Sequence, residues 1–337
     1  MSLISLLPIL IVASGFYILV KIRFFFISHP IKTFCDIRRI VKNKRARKSL
    51  SLALAGTLGV GNIVGVAHGL ISGGVGVVFW IFVSSVFSSA LKYAESSISM
   101  KYKEKSSYGM ISVIKKSFSK LGVPVSIIYA LLCLALSFVL GGALQSESLV
   151  EAGSYCLNLT KWAISLIFLF VVFLSVINGS ERIDNITAAI IPLSTIVYIT
   201  LCLAIMLLNI GKAPEILRCV ISDAFSLKGI LFGFLPVLSL RALREGFSVG
   251  LLSNEAGSGT SAFAQTRADL DDRDVGLLGV VEVFFDTALL CSLTGLAVLF
   301  SGYNINSCES GLDLVFSSFA YALGEWVFIP LFWCVPL

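Results

Sequence analysis

Two apolar stretches of this chain are interrupted at their centres by glycine, hydroxyl and amide residues. The first reads Gly56-Thr57-Leu58-Gly59-Val60-Gly61-Asn62 and the second Ser253-Asn254-Glu255-Ala256-Gly257-Ser258-Gly259, with Gly61 and Gly257 196 residues apart. Unwound backbone in hydrocarbon leaves N–H and C=O groups that cost several kcal/mol each unless a polar partner uses them. Paired interruptions of this kind point to a binding site near the membrane midplane. At the first break, Gly59 and Gly61 present no side chain to a ligand and adopt backbone angles that other residues avoid. The N–H groups freed at the start of the following helix suit a carboxylate. Carbonyls of the preceding half, with the Thr57 hydroxyl and the Asn62 amide oxygen, suit Na⁺. The competing reading is packing, because Gly61, Gly65 and Gly69 also form a small-residue face of the kind that joins helices. A dinucleotide-binding loop is excluded, since no strand precedes Gly59.

At the second break Ser253, Asn254 and the adjacent glycines, Gly257 among them, form a polar and flexible wall. Glu255 at membrane depth costs at least ~2.5 kcal/mol and requires a partner. Glu282 and Asp286 are four residues apart with like sign, so they require a cation or hydrogen-bond donors. Their expected role is to clamp helices near the site. Lys92 and Glu95, three apart, are expected to pair with each other. Gln145 and Glu147 fall late in an apolar helix, and His68 reads as a packed polar residue.

These residues need elements that cross a membrane. The chain has 337 residues, is 57% hydrophobic and 14% charged, and has a mean hydropathy of +0.93. A soluble domain carries about 25% charged residues. Apolar runs of about 20 residues recur, as spanning helices require. The net charge of +6 comes from basic residues between those runs, so nucleic acid is not the expected partner. Eight cysteines without a Cys-x-x-Cys spacing read as small core residues, and two histidines are too few for a transition-metal site. No nucleophile–base pair appears, which argues against an enzyme.

Hydropathy predicts an outer helix over 3–27 and a basic segment to Ser49. The first broken helix follows over 50–71, a turn at Ser72-Gly73-Gly74, and a long helix over 75–100. After a Lys-rich loop come helices over 122–150, 161–178 and 184–208, then a polar outer loop over 209–228. Gly229–Leu240 is too short to span and reads as an interfacial or re-entrant piece. The second broken helix covers 242–266, followed by helices over 275–301 and 313–337. Lys21 and Arg23 follow the first apolar run rather than precede it, so it reads as a retained helix and not a signal peptide. With the N-terminus outside, cytosolic segments hold seventeen basic residues and external ones six, the bias the positive-inside rule expects. The expected organisation is an extra helix and basic segment (1–49), a five-helix repeat (50–208), an outer loop (209–241) and the first three helices of a second repeat (242–337). An odd number of spans per repeat inserts the second one upside down.

The stretches ALAGTLGVGNIVGVA (53–67), FWIFVSSVFSSALKYAE (79–95), GLLSNEAGSG (250–259) and EVFFDTALLCSLTGL (282–296) resemble the alanine/glycine:cation symporter family. The resemblance implies an all-α polytopic membrane protein with a LeuT-like inverted-repeat fold. It implies cotransport of a small neutral amino acid, alanine or glycine, with Na⁺ (less often H⁺) across the bacterial cytoplasmic membrane. Gly59, Gly61, Asn62, Gln145, Ser253, Asn254 and Gly257 match family positions lining the substrate site. Thr57, Asn62, Ser253 and Asn254 are the expected cation ligands, with Glu255, Glu282 and Asp286 as polar supports. Departures include Arg47-Lys48-Ser49-Leu50 where a Phe-Gln pair is usual, and Glu147 where Asn is expected. Family members continue beyond the position of Leu337, so the expectation is a C-terminally truncated member with its second repeat incomplete. The alternative function is a non-transporting remnant or ligand-binding membrane sensor. Expected partners are the amino acid and lipid, with a homo-oligomer or a complementing fragment left open.

Overall fold

A computed structural model describes residues 3–104, 109–157, 159–177, 180–225, 241–268 and 270–335. Every regular element among the described residues is helical. In chain order these are α1 (Leu3–Lys21), α2 (Phe25–Ser28), α3 (Pro30–Val41), α4 (Lys44–Thr57), α5 (Val66–Gly73), α6 (Val77–Lys101), α7 (Met110–Ser117), α8 (Gly122–Leu136) and α9 (Gln145–Leu157). There follow α10 (Lys161–Val176), α11 (Ser180–Leu208), α12 (Ala213–Ala224), α13 (Arg241–Asn254), α14 (Ser261–Gln265), α15 (Asp272–Val283), α16 (Ser292–Ser301), α17 (Gly311–Leu323) and α18 (Phe328–Cys334). Three π-helical stretches, Gly61–Gly65, Ser137–Leu144 and Phe284–Cys291, join α-helical pieces.

By length and composition four described helices can cross a membrane, or five if α4 and the bent segment after it count as one span. The outward residues of α10, among them Trp162, Leu169 and Phe170, are largely exposed, as lipid contact requires. This is a multi-pass membrane protein.

Both predicted breaks are present. α4 ends at Thr57 and helix resumes at Gly61; α13 ends at Asn254 and α14 starts at Ser261. Other boundaries differ from the sequence expectation. The outer helix stops at Lys21, because Arg23 and Phe24 take left-handed angles (φ 53° and 51°). The basic segment is itself helical: Pro30, at the first position of α3, is pre-set for a helix start. α4 begins at Lys44, earlier than expected, with the Asn43 side chain accepting the Arg45 N–H at 2.9 Å. The predicted helix over 313–337 is broken at Gly324 (φ +93°), so α17 and α18 are separate. The Lys-rich loop contains α7, and the outer loop contains α12. Gly229–Leu240 lies outside the described residues.

The chain forms two compact units: Met1–Thr57, Ser85–Ala143 and Asn254–Phe285 in the first, and Leu58–Ser84, Leu144–Ser253 and Asp286–Leu337 in the second. In the first, Ile40, Ala46, Leu50, Ala268, Leu277, Leu278 and Val281 form a core cluster. Ion pairs Arg39–Asp274 (3.0 Å) and Arg273–Asp36 (2.9 Å) tie α3 to the start of α15 at the surface. Gly279 lets α15 approach the backbone of Lys92, as a Cβ there would stand 2.8 Å from its carbonyl oxygen.

In the second unit, Val66, Val77, Ile81, Ala242 and Cys291 form a core cluster. Small residues decide how closely α13 packs. A Cβ on Gly69 would meet Val249 at 2.9 Å, and one on Gly73 would meet Glu245 at 2.8 Å. On the next face of α13, Gly246 would meet Trp80 at 2.5 Å, and Gly250 leaves room for the Ser84 hydroxyl. Asp223 at the end of α12 accepts the Gly76 N–H at 2.7 Å beside the entry to α6.

Candidate functional site

In the second unit the helix after the first break runs against α13 so that Gly61 comes close to the backbone of Ser253; a Cβ on Gly61 would lie 3.6 Å from its Cα. This approach brings together side chains from three distant parts of the chain. The Asn62 amide nitrogen donates to Asp286 Oδ1 at 2.7 Å. The Ser253 hydroxyl lies 2.7 Å from Asp286 Oδ2, 2.9 Å from Asn62 Oδ1 and 3.2 Å from Cys291 Sγ. Thr287 Oγ1 donates to Asp286 Oδ2 at 2.7 Å. All five residues are buried, Asp286 and Thr287 completely. Ser253 has one hydroxyl proton yet faces two oxygen acceptors, so its lone pairs and those of Asn62 and Asp286 converge on a small volume. Hard cations take oxygen ligands of this kind.

Local structure explains how these side chains are presented. Asn62 lies in the π-helical stretch that restarts the helix, and Asp286, Thr287 and Cys291 lie in another. π-helical turns are rare and recur at functional sites.

The remaining expected site residues divide. Gly59 is buried and Gly61 exposed within the second unit. Gln145 is half-buried at the start of α9 and makes no hydrogen bond among the described residues to Asn62, Ser253 or Asp286. Thr57, Asn254, Glu255 and Gly257 belong to the first unit. There Thr57 directs its hydroxyl to its own helix, at 3.4 Å from the Ala53 carbonyl. Asn254 Oδ1 accepts the Ala256 N–H at 2.9 Å and so shapes the turn. Glu255 has φ +52°, uncommon for a residue with a Cβ, and Gly257 and Gly259 have φ +95° and +75°. The carboxylate of Glu255 finds its partner in the Thr260 hydroxyl.

A second polar cluster lies in the first unit. Glu282 is fully buried and accepts from Lys92 (3.2 Å), Ser261 (2.6 Å) and the Gln265 amide. Lys92 also donates to Ser261, and Ser96 donates to Gln265. The expected Lys92–Glu95 ion pair is therefore replaced by Lys92–Glu282: the lysine turns across to α15, while Glu95 accepts the Gly257 N–H. Glu282 and Asp286 both have the donors that their like charges demanded, in different clusters. That Asp286 is the acceptor at the centre of the first cluster was not visible in its spacing, because its partner Asn62 lies 224 residues away. His68 is exposed rather than packed. All eight cysteines are free; Cys202, Cys291, Cys308 and Cys334 are buried as expected, and Cys35 and Cys219 are exposed.

The chain is thus a multi-pass membrane protein with two interrupted helices and a buried oxygen cluster beside the first interruption. The chain belongs to the sodium:alanine symporter family, whose sequence model matches residues 1–337. It is a family of transporters, not enzymes. The match runs to Leu337 and lends no support to the expected C-terminal truncation. The chain is 29% identical over 330 residues to an uncharacterized transporter of Haemophilus influenzae, covering 94% of this chain and 72% of that one. It is 28% identical to a sodium/proton-dependent alanine carrier protein of Bacillus sp. strain PS3, covering 80% of this chain and 60% of the carrier. It is also 28% identical to the sodium/alanine symporter AgcS of Methanococcus maripaludis, covering 76% of this chain and 57% of that protein. The chain thus spans about three fifths of the length of the two alanine carriers it matches.

Proposed function

We propose that this chain carries out symport of a small neutral amino acid, alanine or glycine, coupled to Na⁺ or, as the alternative ion, H⁺. The observation that carries the reading is the Asn62–Ser253–Asp286 cluster. A fully buried carboxylate and two further side-chain oxygens converge beside the first helix break. Na⁺ would be held by Asp286, Asn62 Oδ1 and Ser253 Oγ, with Thr287 orienting the carboxylate. The substrate carboxylate would take the N–H groups freed at Gly59 and Gly61, where the dipole of the following helix favours negative charge. Ion and amino acid would then stabilise the same arrangement of the break, which is how their binding becomes coupled.

The names of relatives that carry sodium and alanine support this substrate pair. The accompanying architecture is a LeuT-like inverted repeat, with residues 1–49 preceding a first repeat over 50–208, a linker over 209–241 and a second repeat starting at 242. The excess of basic residues in the segments assigned to the cytosol supports a bacterial inner-membrane location with the N-terminus outside.

The test is uptake of labelled alanine into proteoliposomes. An imposed Na⁺ gradient is expected to drive accumulation, and D286N is expected to abolish the Na⁺ dependence. Accumulation that ignores both Na⁺ and H⁺ gradients overturns the coupling, and binding without accumulation overturns transport.

A further inference from the structure

The first unit holds a carboxyl group that the symport reading does not use. Glu95 is 6% exposed on α6. Its Oε1 accepts the N–H of Gly257 in the second break, and the Gly259 N–H also faces it. Its Oε2 is enclosed and has no hydrogen-bond partner among the described residues.

Among the described residues, the charges around it are unbalanced. Lys92, one turn earlier on α6, is the cation that interacts with Glu95, Glu255 and Glu282. Its ammonium contacts Glu282 of α15. Glu255 takes the Thr260 hydroxyl and is partly exposed. Tyr129 of α8 interacts with both Glu95 and Glu255 and brings no positive charge; its hydroxyl donates to the Ser258 carbonyl at 2.8 Å. Among the described residues, one ammonium therefore interacts with three carboxyl groups, and the one with an unsatisfied oxygen is the most buried after Glu282. A buried, uncompensated carboxylate is among the costliest groups a fold can hold, and its neutral form avoids that cost.

We propose that Glu95 is a proton-binding site. A proton taken from water adds to Oε2 while Oε1 holds the Gly257 N–H, and it returns to water when the turn at Gly257 moves off the carboxyl. Glu95 thereby couples protonation to the conformation of the second break, with the proton as its ligand. The consequence for uptake rests on the symport reading; the protonation itself does not.

The test is infrared difference spectroscopy of the full chain in liposomes, stepped between alkaline and acid buffer without Na⁺. A protonated-carboxyl band is expected in the wild type and not in E95Q. In the same vesicles E95Q, isosteric with the neutral acid, is expected to flatten the pH dependence of alanine uptake. If E95Q does not fold, E95D is read instead, and the band must shift in frequency. A band unchanged in either variant overturns the assignment, as does its absence from the wild type. A Na⁺-induced shift of the Glu95 carboxylate bands without a protonated band overturns it in favour of a metal ion. A band lost in E95Q with no uptake at any pH upholds the proton site and fails the symport reading instead.

Discussion

Asn62 and Asp286, 224 residues apart in sequence, are joined at 2.7 Å through the asparagine amide nitrogen and Asp286 Oδ1. The amide oxygen of the same asparagine faces the Ser253 hydroxyl at 2.9 Å. Asn62 therefore orients the carboxylate with its amide nitrogen and offers an acceptor with its amide oxygen.

Replacing Asn62 with alanine tests that double role. A hydrogen bond to a charged group contributes about 1.5–3 kcal/mol, so the Na⁺ concentration for half-maximal uptake should rise about tenfold or more. Alanine uptake measured against Na⁺ concentration checks this. An unchanged Na⁺ dependence in folded protein would remove Asn62 from the ion site.

Lys92→Met removes the cation beside Glu282, where both side chains are fully buried. Leaving one buried charge without its partner costs about 3–5 kcal/mol, so thermal stability in detergent should fall sharply. The double substitution K92M/E282L should recover most of that loss. If the double variant is no better than K92M alone, the ion pair is not the reason the lysine is buried there.

The two glycines of the second break should differ in tolerance. Both have positive φ, and a Cβ in that region costs about 1–2 kcal/mol. At Gly257 the nearest contact for a Cβ is Ile11 at 3.7 Å, whereas at Gly259 Met110 and Tyr129 stand at 3.1 Å. G259A should therefore lower the unfolding temperature more than G257A. Equal losses would mean that backbone strain alone governs both.

The small-residue face after the first break can be dissected in the same way. A Cβ on Gly65 meets nothing within 4 Å, while one on Gly69 meets Val249 at 2.9 Å. G65A should be neutral or stabilising by up to about 1 kcal/mol, the helix-propensity gain over glycine. G69A should destabilise. Thermal melts of both variants in detergent separate packing from backbone effects; a stabilising G69A would contradict the close approach of α13.

Several site features were legible before any coordinates. The interruptions at Gly61 and Gly257 could be read because glycine-rich polar sequence inside an apolar run is a local signal. Glu255, Glu282 and Asp286 announced that they needed partners, because a charge at membrane depth has few alternatives. The sequence was less informative about elements whose limits depend on turns: Arg23 and Phe24 end α1 in left-handed conformations that their residue types do not advertise. The basic segment showed its charge but not that Pro30–Val41 would be an amphipathic helix paired with Asp274 and through Asp36 with Arg273.

Sequence by itself determined that this chain crosses a membrane several times and that two of its helices are broken, because hydropathy and glycine content act over a few adjacent residues. Tertiary structure decided which polar groups share a site. Lys92 could pair with its helix neighbour Glu95 or with any carboxylate brought across to it, and the glycine-mediated approach of α15 favoured Glu282. Asp286 and Glu282 are four residues apart, yet each joined a different cluster. The π-helical stretch beginning at Phe284 changes the angular spacing along the helix, and partners 224 and 190 residues away then select the face.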